Sequence, residues 1–136
     1  MLPLEFFVVG TPVSHQSHNK ARLRTWQQQV RQAAQAVVPQ GETPTTESCL
    51  LVAVYFFGSP PPLLDNDNWI KPIQDALIGV VYNDDRQVTD TFVRRTAIGG
   101  RFRVSGRSRQ LVDAIEQGVE FVYIRVEEAL SHEEVL

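Results

Sequence analysis

The chain is nearly without cysteine: Cys49 stands alone among 136 residues. No internal disulfide can form, which excludes a disulfide-stapled module and makes a reducing cytosol the expected home. No apolar run approaches the roughly 20 residues that a helix needs to span a bilayer, so no membrane partner is expected. The opening "MLPLEFFVVG" lacks the basic segment and small-residue cleavage site of a secretion signal. Repeats and low-complexity tracts are also missing. What is there instead is ordinary for a globular protein, with 43% hydrophobic and 21% charged residues. That length suits one domain with a continuous core, placed over residues 1–127, with 128–136 as a frayed acidic tail.

Locally, acid is scarce in two long stretches. Neither Asp nor Glu occurs between Phe6 and Gly41, or from Thr91 to Val112. Those stretches hold ten of the thirteen Lys and Arg residues, so the net charge of −3 averages over strongly segregated charge. Segregation of this kind can build a cationic surface on an acidic protein. Lys20, Arg22, Arg24 and Arg31 in the first stretch, and Arg94, Arg101 and Arg103 in the second, are the candidates to track a phosphate backbone. Arg94 and Arg95 should point to opposite faces of a strand, so one of them is expected to be structural. Solvated surface charge is the competing reading of both stretches.

Pattern gives the elements. "LEFFVV" and "CLLVAVYFF" read as strands, the second central and buried. From Lys20 to Val38, Leu23, Trp26, Val30, Ala33 and Val37 recur at helical spacing, with Arg24, Gln28, Arg31 and Gln35 on the opposite face. Pro39 and Gly41 end that helix. "SPPPLL" is a stiff connector. A second helix turns Ile70, Ile73, Leu77 and Val80 to the core, and Pro72, tolerable in a first turn, sets its start near Asn68. "RQVTDTFVRRTAI" is a third strand, "SRQLVDAIEQ" a short helix capped by Ser108, and "VEFVYIRV" the last strand. The order β-α-β-α-β-(α)-β predicts an α+β fold: a small mixed sheet of about four strands with helices packed on it.

The segment "LLDNDNWIKPIQDALIGVVYNDD" crowds five carboxylates around a single Lys71. A strand leaving Asp84 and Asp85 and returning beside the helix start would gather Asp65, Asp67 and Asp85. Carboxylates gathered so closely require a hard divalent cation, Mg²⁺ or Mn²⁺, which suits phosphodiester hydrolysis with Lys71 as a point donor. A calcium loop is excluded: Trp69, Ile70 and Ala76 stand where the EF-hand pattern needs an oxygen ligand, Gly and Glu. A loop of capping and turn-forming Asp residues explains the same letters. His15 and His18 are spaced as a metal pair but lack a third ligand, Trp26 and Trp69 read as core, and Cys49 reads as inert and buried.

"DNDNWIKPIQDAL" followed by "GVVYNDDRQV" resembles the active-site signature of the RusA-type Holliday junction resolvases: Asp-x-Asp-Asn-x-x-Lys, Asp-Ala-Leu, then paired Asp-Asp before a strand. "VVGTPVSHQSHN", the helix with Trp26 and the second strand match that family's layout, so the resemblance covers about the first hundred residues. It implies a homodimeric, Mg²⁺-dependent endonuclease that cuts four-way DNA junctions in recombination and repair, acting at the nucleoid. By position, Asp65, Asp67 and Asp85 would hold metal and Lys71 would assist catalysis. Asp84 is the lesser ligand of its pair, and Asp75 would hydrogen-bond nearby backbone or support Lys71. The sequence departs from the family in a longer 99–118 segment, an acidic C-terminus and the "TPVSHQSHN" loop. Two further readings stay open: a non-catalytic junction-binding or assembly protein of the same fold, and a nuclease for other branched DNA.

Overall fold

Short runs of aliphatic, β-branched and aromatic residues make Leu4–Val9 and Cys49–Phe57 strands, β1 and β2. The helical stripe of Trp26, Val30 and Ala34 forms α1, Lys20–Val37, started by Asn19, whose side chain accepts the Arg22 N–H. Helix α2 spans Asn66–Ala76, β3 Val88–Ala97, α3 Arg109–Gln117 and β4 Phe121–Glu128. These elements come from a computed structural model that describes residues 1–58, 64–98 and 109–130. The expectations for the 59–63 connector, for Arg101, Arg103 and the Ser108 cap, and for 131–136 fall outside the described residues.

The four strands form one mixed sheet in the order β1-β4-β2-β3, the α+β architecture the pattern predicts. β4 lies antiparallel between β1 and β2, whereas β2 and β3 are parallel. A parallel pair needs a crossover, and α2 supplies it. Helices α1 and α2 cover one face, over a core that includes Trp26, Val30, Leu51, Tyr55, Trp69, Ile73 and Leu77. On the other face Phe56, Phe121 and Tyr123 form a smaller cluster, joined by Ile115 of α3.

Three expectations need correction. First, α2 begins two residues before Asn68, so Asp65 is its N-cap residue and Asp67 lies in its first turn. Pro72 is then inside the helix rather than at its start. A proline there frees the carbonyl four residues back, and the Asn68 carbonyl accepts the His15 backbone N–H at 2.7 Å instead. The helix tolerates Pro72 because the 11–19 loop takes up the orphaned acceptor. Second, Arg31 does not lie on the wet face of α1: its guanidinium donates to the Ala76 and Ile78 carbonyls at 3.3 and 2.8 Å, satisfying the end of α2. Third, Glu128 belongs to β4, and the Ala129 N–H bonds the Ser48 carbonyl at 2.9 Å, so the ordered chain runs past residue 127.

Candidate active site

The start of α2 is fixed from inside the core. Trp69 is fully buried, and its indole N–H donates to Asn66 Oδ1 at 3.0 Å. The Trp69 ring meets Tyr55 edge-on, with centroids 6.0 Å apart. The Tyr55 hydroxyl donates to Glu120 Oε1 at 2.8 Å. Glu120 also accepts the Thr11 hydroxyl and the Gly58 N–H, each at 2.8 Å. One carboxylate therefore ties the strand end before Asp65 to the loop that binds Asn68. Burial acts to raise the Glu120 pKa, but the Gly58, Tyr55 and Thr11 donors outweigh it and leave the group below the usual glutamate value. Tyr55 is pushed up to about 12 by burial first and by Glu120 second.

On this anchored turn Asp65 and Asp67 are exposed. Asp65 occupies the N-cap position, yet its side chain makes no capping bond, and neither carboxylate has a hydrogen bond or ion pair among the described residues. Their residue numbers alternate with those of the anchors: Asn66 and Trp69 turn inward while Asp65 and Asp67 face water.

Lys71 lies one turn beyond Asp67, roughly 6 Å along the axis. Its ammonium bonds Asp85 Oδ2 at 2.5 Å and Asp75 Oδ1 at 3.0 Å. Asp85 first and Asp75 second raise the Lys71 pKa and keep the amine charged. Between 31% and 38% of each of these side chains is exposed, so solvent screens the pairs and their contribution to stability is small. Asp85 itself is placed by the short 3₁₀ turn Asp85–Gln87. Asp84 caps that turn, accepting the Arg86 N–H at 2.9 Å, and its other oxygen pairs with the Arg86 guanidinium. Hydrogen bonds from Arg86 hold the Asp84 carboxyl down at about 2. The Gln87 amide completes the turn. It accepts from the Asn83 and Asp84 N–H groups and donates to the Thr45 and Glu47 carbonyls.

The sequence predicts a three-carboxylate group of Asp65, Asp67 and Asp85, and the structure does not assemble it. Among the described residues no three His, Cys, Asp or Glu side chains are grouped closely enough to hold a metal. The physical reason is charge: the Lys71 ammonium draws Asp85 and Asp75 to itself. The donor set still suits a hard cation: it is all oxygen, and Asp65 and Asp67 are solvent-facing and have no other partner among the described residues.

The cationic candidates divide. Lys20, Arg22 and Arg24 are exposed. Gln27 donates to the Pro72 carbonyl and Arg31 to that of Ala76, both 45 residues on, so α1 and α2 run parallel. The His15 N–H bonds the Asn68 carbonyl at 2.7 Å, so the loop that leads into α1 and its three exposed cations lies against the first turns of α2. On β3, Arg95 donates to the Leu64 carbonyl at 2.6 Å and steadies the approach to Asp65, while Arg94 is exposed. His15 and His18 are exposed in the loop, and both tryptophans and Cys49 are buried.

Sequence reading missed Gln87 and Glu120. Gln87 carried a signal, since "DDRQ" places Gln three residues after a capping Asp84, the pattern of a capping box. Glu120 carried none: its partners at Thr11, Tyr55 and Gly58 are scattered along the chain.

The arrangement defines a class, a small α+β domain that sets hard oxygen donors and a cationic helix start side by side at the head of a parallel crossover. The sequence profile of the endodeoxyribonuclease RusA family matches residues 9–105, and the chain belongs to that family. Comparison with curated proteins gives no match.

Proposed function

We propose that this protein is a divalent-metal-dependent endonuclease that cuts four-way DNA junctions, acting as a homodimer. The observation that carries the reading is the exposed pair Asp65 and Asp67, without partners among the described residues, at the start of the helix whose Lys71 holds Asp85. Asp65, Asp67 and Asp85 would hold Mg²⁺ or Mn²⁺; such an ion, when bound, activates water and screens the charge of the scissile phosphate. Lys71 would release Asp85 to that site and offer its ammonium to the phosphate. Asp75 would keep Lys71 extended meanwhile. Lys20, Arg22 and Arg24 would follow the DNA backbone, a contact that gives affinity without base choice and so suits recognition of a DNA shape.

The test is a labelled four-way junction incubated with purified protein in Mg²⁺ and in Mn²⁺. Paired, symmetric nicks are expected from the wild type, with loss of roughly 100-fold or more in Asp67→Asn, because the carboxylate acts at the reacting centre. Absence of cleavage in both metals, or full activity in Asp67→Asn, would remove the proposal. One other reading is a junction-binding protein of the same fold without turnover. Tight junction binding with no metal-dependent nicking would be its signature, and cleavage of flaps but not junctions would redirect the substrate.

A further inference from the structure

The outer edge of β3 is open among the described residues, because β3 ends the sheet order β1-β4-β2-β3. Edge strands usually carry a guard against pairing, such as proline, a bulge, a short length or charged side chains, and β3 has only the last along most of its length, in Asp90, Arg94 and Arg95. Val88–Ala97 is ten residues long and contains neither proline nor glycine. Its one register irregularity against β2 falls at the strand's start, between Cys49 and Leu50.

The charges on this strand are arranged symmetrically. In register with Leu50, Val52 and Val54 of β2 stand Asp90, Phe92 and Arg94, so the three share one face. Phe92 is 50% exposed, an unusual cost for a large aromatic residue in mid-strand. Arg94 has no hydrogen bond or ion pair among the described residues, and Asp90 has only the neighbouring Thr89 hydroxyl. α3 reaches this face at the Val54 and Phe56 end, through Ile115.

We infer that β3 is the dimer edge: it pairs antiparallel with β3 of a second copy about a two-fold axis at Phe92. That axis sets each residue before Phe92 opposite the one equally far after it. Asp90 then faces the partner's Arg94, Arg94 faces the partner's Asp90, and Phe92 packs on the partner's Phe92. An isologous contact requires this self-complementarity. A parallel or shifted pairing loses both charge matches and leaves Phe92 in water. The pairing joins the two four-stranded sheets into one continuous sheet. It also reassigns Arg94 from the DNA backbone to the subunit interface. The inference deepens the homodimeric reading of the nuclease and rests on it for its biological sense, but its measurement needs neither DNA nor metal.

Asp90 and Arg94 lie about 13 Å apart along their own strand, too far to pair within one chain. Charge reversal therefore reports on the contact between copies. Sedimentation of the full chain should show a wild-type dimer. Asp90→Arg alone, or Arg94→Asp alone, should weaken it by roughly 100-fold or more, since like charges then face each other. The decisive arm mixes the two monomeric variants: every facing pair becomes opposite in sign, and a heterodimer should form. Circular dichroism checks that each variant is folded, and both sites are on the surface. A monomeric wild type, single variants as dimeric as the wild type, or a mixture that stays monomeric would each overturn the inference. Junction cleavage by the same samples separates the two claims. A dimer with this edge and no cleavage sinks the nuclease reading alone, and cleavage by a dimer insensitive to both reversals sinks the edge alone.

Discussion

At the scale of single residues, the site depends on which carboxylates have partners. Asp84, Asp75 and Glu120 are each engaged by named donors, Asp85 is shared with Lys71, and Asp65 and Asp67 are left to solvent. The sequence showed which letters were acidic and, through the signature, which to expect at the site. It did not show that Lys71 would hold Asp85, because that contact closes over a turn whose geometry depends on Gln87. Glu120 makes the clearest prediction at this scale. Its pKa in the folded protein lies below the usual 4.5. A depressed folded-state value means that its contribution is present above the unfolded pKa and lost as pH falls through the folded one. Glu120→Gln should cost about 1–3 kcal/mol near neutral pH, the range for hydrogen bonds to a charged acceptor. Urea titrations should show that difference shrinking as the pH drops below 4.5. A difference independent of pH would mean that the carboxylate's charge is irrelevant.

At the scale of elements, α1, the first two strands and the core stripe of α2 were legible because their periodicity is long and uninterrupted. The start of α2 was misplaced because Pro72 was read by its local cost alone. Its lost hydrogen bond is compensated from the 11–19 loop, a long-range contact that no local pattern contains. Arg31 was misread for the same reason: the helix end it caps lies on another element. Replacing Pro72 by Ala restores an N–H that competes with His15 for the Asn68 carbonyl. Hydrogen exchange at the His15 amide should then speed up by roughly tenfold or more, a sign of local opening, while the central α2 amides change little. Unchanged protection at His15 would show that the loop is held by other contacts.

Over the whole molecule, the strand order and the parallel pairing of β2 with β3 were not readable, since both are set by how helices pack across the sheet. They place the residues of the candidate site more than any single motif does. The β2-α2-β3 crossover carries Asp65, Asp67 and Lys71 on one helix and returns Asp85 beside Lys71. The loop before α1, bonded at His15 to Asn68, ties the entry to the acid-free cationic helix to the first turns of α2. β3, at the sheet edge among the described residues, is the strand proposed to meet a second copy, which would couple two sites for paired cuts on opposed strands. The central claim is that Asp65, Asp67 and Asp85 close around a divalent ion once one is supplied. Anomalous scattering from crystals soaked in Mn²⁺ tests it most directly. The account predicts a peak bound by all three carboxylates, with Lys71 turned away from Asp85; a peak elsewhere, or none with Lys71 still on Asp85, would contradict it.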